Sequence, residues 1–109
     1  MKIDDKIDLI LDAISEKKGY DTEVLDLRNK ANFTDFFIIT SASNSSQFDA
    51  IIDNVEYKMS EIKEYKINAD AKKSKEWALL DFGDIIVHIF DIDARNYYDL
   101  ERLWKEIEK

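Results

Sequence analysis

Residues 76 to 90, EWALLDFGDIIVHIF, set two short apolar runs on either side of Asp81-Phe82-Gly83-Asp84, and no other stretch narrows the fold so far. Each run is too short for an ordinary helix and turn formers separate the two, so the segment reads as a β-hairpin. Gly83 belongs in its connection because some residue there must take a positive φ. Strand alternation then puts Ile86, His88 and Phe90 on one face of the second run and Ile85, Val87 and Ile89 on the other.

The hairpin register stays open. A two-residue or four-residue loop pairs Leu80 with Ile85 and sets Trp77 opposite His88, with Trp77, Leu79, Ile86, His88 and Phe90 on one side. A three-residue loop with a glycine bulge moves Trp77 across from Val87. In the first register one face is purely aliphatic and the other combines two aromatics with the only histidine, which is the composition of an interface. Packing beneath a helix is the plain alternative for Trp77, and both stand.

Around the hairpin the pattern is helix, two strands, helix, and after it a closing helix. From Asp4 to Lys18, Ile7, Ile10, Leu11 and Ile14 follow helical spacing, with acids in front and Lys17, Lys18 and a candidate C-cap Gly19 behind. TEVLDLRN and DFFIITSAS read as strands. SNSSQFDAIIDNVEYKMSEIKEY opens on several possible serine N-caps and lines up Phe48, Ile51, Ile52, Val55, Met59 and Ile62 as one stripe. KINADAKKSK offers at most a brief strand near Ile67 and then a lysine-rich loop at residues 72, 73 and 75, read as solvated. DARNYYDLERLWKEIEK is expected as helix, capped by Asp93, with Tyr97, Leu100, Trp104 and Ile107 along one face. The class is α/β or α+β, a mixed sheet with packed helices in one domain over residues 1–109.

Composition limits function. The 109 residues carry 24 acidic and 16 basic side chains, for a net charge of −8, which argues against a protein that holds nucleic acid by its phosphates and favours a basic protein partner. With no cysteine, disulfides, thiolate metal sites and cysteine nucleophiles drop out together. The charged amino terminus and the lack of any long apolar window predict a cytoplasmic protein with no membrane span.

The chemical motifs in the hairpin weaken on inspection. Asp-Phe-Gly works in kinases only with a glycine-rich loop, a paired lysine and a catalytic loop, none of which is present. Asp81, Asp84, Asp91 and Asp93 are the alternative: in an extended DID segment Asp91 and Asp93 share a face and could hold a divalent cation for nucleotidyl transfer. Against that, no glycine-rich loop precedes a helix to hold a triphosphate, and aspartate is common at turns and N-caps. A lone His88 has no second histidine or cysteine to complete a zinc set. No cofactor and no metal site are expected.

The same hairpin, followed by ARNYYDLERLW, resembles the signature of the ribosomal silencing factor family, RsfS, also called Iojap or YbeB. Its members carry D-W-x-x-x-D-x-G-D-V-V-V-H-V-F and end in Y-x-L-E-x-L-W. YDTEVLDLRNKANFTDFFIITSASNSSQ is similar to the family's TDYFVI strand and G-T-S-x-R-H/Q helix entry, except that Ala42 and Ser46 replace the glycine and arginine. The resemblance implies a nucleotidyltransferase-like fold without that activity. It implies binding to large-subunit ribosomal protein 14, a block on joining of the subunits, and lowered translation when nutrients are scarce, and it allows a homodimer. Trp77, Asp81, Gly83, Asp84, His88, Tyr98, Leu100, Glu101, Leu103 and Trp104 occupy signature positions. The residues expected at the ribosomal protein are Trp77 and His88 with Leu79, Ile86 and Phe90, and Asp81 and Asp84 as rim charges.

Overall fold

A computed structural model of the chain describes residues 2–67, 76–100 and 102. In order, its elements are α1 (Ile3–Glu16), β1 (Tyr20–Asp26), β2 (Phe36–Ala42), α2 (Ser45–Glu61), β3 (Trp77–Asp81), β4 (Ile85–Asp91) and α3 (Ile92–Tyr98). The strands form one sheet in the order β1-β2-β4-β3, parallel between β2 and β4 and antiparallel elsewhere. This is the α+β mixed sheet that the pattern of elements predicts.

Both long helices stop in the same way. In α1, Lys18 takes φ 63°, its N–H donates to the Ser15 carbonyl, and the Gly19 N–H donates to the Ile14 carbonyl at 3.0 Å. The end of α2 repeats this with Lys63 at φ 64° and the Glu64 N–H on the Met59 carbonyl. Each arrangement satisfies carbonyls that a helix end leaves open. The left-handed position expected for Gly19 is therefore filled by Lys18. Gly19 serves a different purpose: a Cβ there would lie 2.5 Å from Ile14 Cγ2 and 2.9 Å from Thr40 Oγ1, so only glycine lets the chain pass between α1 and β2.

Asn44, not one of the serines, caps α2, its side-chain oxygen accepting the Gln47 N–H at 2.8 Å. Gln47 in turn donates to the carbonyls of Lys17 and Lys18, tying the start of α2 to the end of α1. At the family's departures, Ala42 is fully buried and Ser46 is exposed in the first turn of α2.

The aliphatic stripes meet on one side of the sheet. Ile7, Ile10 and Ile14 of α1 and Phe48, Ile51, Ile52, Val55 and Met59 of α2 pack on Ile38, Ala78, Leu80, Ile85, Val87 and Ile89. Each such aliphatic side chain removed from water contributes about 1.5–3 kcal/mol before entropy is counted, which makes this cluster the main source of stability. The opposite face carries a smaller cluster of Leu25, Leu27, Phe37, Ile39, Ile86, Phe90 and Ala94.

Several expectations for the later chain are corrected. Ile67 is in no strand; its N–H donates to the Asp81 carbonyl at 2.7 Å. The closing helix is not continuous, because Asp99 takes φ 47° after Tyr98 and interrupts it. Its cap is Asp91, whose carboxylate accepts the Ala94 N–H at 2.7 Å, and Asp93 sits in the first turn. Because the break at Asp99 separates Tyr97 from Leu100, the two do not share a helix face: Tyr97 is 84% exposed while Ala94 and Leu100 pack inward. The lysines at 72, 73 and 75, Glu101, Leu103, Trp104 and Ile107 lie outside the described residues.

A candidate docking surface on the hairpin

The hairpin turns through Gly83 and Asp84 alone. Phe82 N–H donates to the Ile85 carbonyl at 2.9 Å, Gly83 takes φ +91°, and Asp81 Oδ1 accepts the Gly83 N–H at 2.8 Å. A two-residue loop with positive φ at its first residue matches the right-handed twist of the strands it joins. The register is Trp77 with Phe90, Leu79 with His88, Leu80 with Val87 and Asp81 with Ile86. Trp77 is thus opposite neither His88 nor Val87, and Leu80 does not pair with Ile85, because the strands continue through Phe82 and Ile85 and the loop begins only at Gly83. The displacement is two residues, and a shift of two preserves faces. Trp77, Leu79, Ile86, His88 and Phe90 still share one side.

Trp77 and His88 meet on the diagonal. The indole Nε1–H donates to His88 Nδ1 at 3.0 Å. The Trp77 ring stacks on Phe90 at 5.0 Å between centroids and lies 4.8 Å from Tyr98, while the Phe37 ring meets His88 edge-on at 4.4 Å. Such offset and edge contacts suit the quadrupoles of aromatic rings.

Burial divides the group. Ile86, His88 and Phe90 are 5%, 2% and 0% exposed, because β4 lies inside the sheet and Phe37, Ala94 and Leu100 cover this face. These three, expected at the partner, lie beneath the face rather than on it. Trp77 and Leu79, on the edge strand β3, are half-buried and keep surface to offer. Of the expected rim charges, Asp81 is turned to the Gly83 N–H, and Asp84 faces Lys6, whose ammonium lies 3.4 Å away and also pairs with Glu64. These carboxylates hold that ammonium protonated above its ordinary range.

Burial pushes His88 down to about 3, so the ring is neutral at neutral pH, with Nδ1 accepting and the proton assigned to Nε2. In the unfolded chain the ordinary value is near 6.5. The unfolded state therefore binds the extra proton between these values; the stability involved is fully present above about pH 6.5 and is lost as pH falls toward 3. Urea midpoints should show about 2 kcal/mol lost between pH 7 and pH 5, a range that ends before most carboxylates titrate. His88→Asn should remove most of that slope.

The four aspartates do not assemble. Asp81 and Asp84 flank one end of β4, and Asp91 and Asp93 lie at the other, about 20 Å away along a seven-residue strand. Asp91 and Asp93 share no strand face, since Asp91 caps α3 and Asp93 is helical. Among the described residues no group of three or more histidines, cysteines or carboxylates is placed to hold a metal ion, and no helix is long and apolar enough to cross a membrane.

Two supporting residues escaped the reading of the sequence. Phe37 reaches His88 only because β2 lies parallel beside β4, a long-range pairing with no local signal. Arg95 donates to Ser41 Oγ at 2.8 Å and lies 3.8 Å from Glu23, tying α3 to the far edge of the sheet. Its place two residues before the exposed Tyr97 and three before Tyr98 was the available hint.

Together these features define a small acidic α+β protein whose distinctive surface is a hairpin edge built around a tryptophan. The family described as "Ribosomal silencing factor during starvation", RsfS, matches residues 1–109. The chain belongs to this family. It is 32% identical over 98 residues to a ribosomal silencing factor RsfS of Haemophilus influenzae, covering 90% of this chain and 96% of that one. It is also 41% identical over 95 residues to the chloroplastic Iojap protein of Zea mays, covering 84% of this chain and 40% of that one. The crystal structure of a Chromobacterium violaceum protein superposes with a TM-score of 0.91 at 30% identity, over 96% of this chain and 88% of that one.

Proposed function

We propose that this chain binds the large ribosomal subunit through its ribosomal protein 14 and sterically blocks joining of the small subunit, repressing translation when nutrients are limiting. The observation that carries this reading is the family match over residues 1–109. The net charge of −8 supports it, since a protein surface that also lies against ribosomal RNA is basic and attracts an acidic partner. The action is occlusion in the cytoplasm and needs no catalysis, in keeping with carboxylates that are separated and engaged in turns, caps and ion pairs. Trp77 and Leu79 supply the apolar centre of the contact; His88, Phe90 and Ile86 support them from below.

Sedimentation tests this directly. Added to separated subunits under associating conditions, the protein should lower the joined fraction and travel with the large subunit. Unchanged profiles with no protein on the large subunit would sink the proposal.

A further inference from the structure

His88 is an odd choice for its position. It is 2% exposed, its Nε2 has no hydrogen-bond partner among the described residues, and Phe37, Phe90 and Leu79 surround it with apolar surface. Leucine or phenylalanine would fill such a place without leaving a polar atom unpaired. Among the described residues the ring makes one side-chain hydrogen bond, from the Trp77 indole at 3.0 Å. Indole nitrogen can only donate, and Nδ1 is the acceptor it meets.

We propose that His88 is a positioning residue: it fixes the Trp77 indole in the one orientation that docks, while itself touching no partner. This rests on the reading that Trp77 meets the ribosomal surface. A tryptophan at a sheet edge, half-open to water, can otherwise turn its N–H outward to solvent and lift its ring off the surface. Stacking on Phe90 and contact with Tyr98 restrict the ring's tilt, but stacking tolerates rotation within the plane. The hydrogen bond removes that remaining freedom. Because β4 is an inner strand and Phe37 braces the imidazole edge-on, the acceptor cannot follow the indole outward. Binding then spends little on ordering its main side chain, which is how preorganised contacts gain affinity.

The test compares the full chain with His88→Leu, His88→Asn and Trp77→Phe, reading affinity for isolated large subunits by sedimentation. It also reads the Trp77 indole N–H by NMR, assigned by its disappearance in Trp77→Phe. His88→Leu should shift that resonance, speed its solvent exchange and weaken binding about tenfold, the scale of one hydrogen bond to a docking group. His88→Asn places an amide oxygen near the Nδ1 position and should recover slow exchange and most of the affinity. In the Trp77→Phe background, which has no N–H to hold, adding His88→Leu should change affinity by less than about twofold.

Wild-type affinity in folded His88→Leu overturns the proposal, and so does an undiminished loss in the Trp77→Phe background. Should His88→Leu fail to fold, His88→Asn decides: fast indole exchange with wild-type affinity overturns it, and exchange and affinity moving together support it. The docking reading fails separately, if a folded Trp77→Ala protein binds large subunits as tightly as wild type.

Discussion

Trp77→Ala should remain folded and lose at least about 30-fold in affinity for the large subunit, the loss typical of a central aromatic anchor. Its ability to lower the joined fraction of ribosomes should vanish at protein concentrations where the wild type acts. The effect is large because Trp77 is half-exposed on a face where the rings beneath it, Phe90 and His88, are buried and cannot take its place. Removing the indole also strips one side from the stack on Phe90 and the contact with Tyr98, 5.0 and 4.8 Å away. A stability cost of about 2 kcal/mol follows, below the 3–5 kcal/mol of a fully buried tryptophan. Circular dichroism at the binding temperature separates the two consequences. A folded variant with wild-type affinity would make Trp77 a packing residue and move the docking surface elsewhere.

Phe48→Ala acts on the other side of the sheet and should cost about 3–5 kcal/mol, the range of a fully buried phenylalanine. Phe48 is 1% exposed and lies within the cluster that joins α2 to α1 and to the aliphatic face of β2, β3 and β4. Its removal leaves a cavity bounded by two helices and a sheet, none of which can close it without breaking its own hydrogen bonds. Against a typical total of about 5–15 kcal/mol, the variant should unfold at a much lower urea midpoint with an unchanged slope. Tyr97→Ala, at a position 84% exposed, gives the contrasting control, within about 0.5 kcal/mol of wild type. A midpoint for Phe48→Ala indistinguishable from that of Tyr97→Ala would show that the first cluster does not carry the stability assigned to it.

Much of this arrangement could be read from residue order, because its determinants are local. The 3.6-residue spacing of Ile7, Ile10 and Ile14, and of Phe48, Ile51, Ile52, Val55 and Met59, defines α1, α2 and their buried faces. The alternation in DIIVHIF separates an aliphatic face from one with an aromatic and a histidine, and a glycine turn brings Trp77 and Leu79 onto the second. That grouping holds because any even displacement of a hairpin preserves which residues share a side. The same insensitivity explains why the particular partner was missed: Trp77 opposite Phe90 and Trp77 opposite His88 produce the same two faces.

What residue order alone determined, then, is the identity of the helices and strands, their apolar faces, and the company Trp77 keeps. Only the tertiary structure decided which of that company reaches the surface. The parallel pairing of β2 with β4 brings together residues almost fifty positions apart, and it places His88 and Phe90 on an inner strand under Phe37 and Ala94. Exposure depends on what the rest of the chain lays over a strand, and periodicity within the strand carries no record of that cover. For the same reason His88, which in the sequence could be base, ligand or contact, becomes in the fold a buried acceptor for the Trp77 indole on the edge strand.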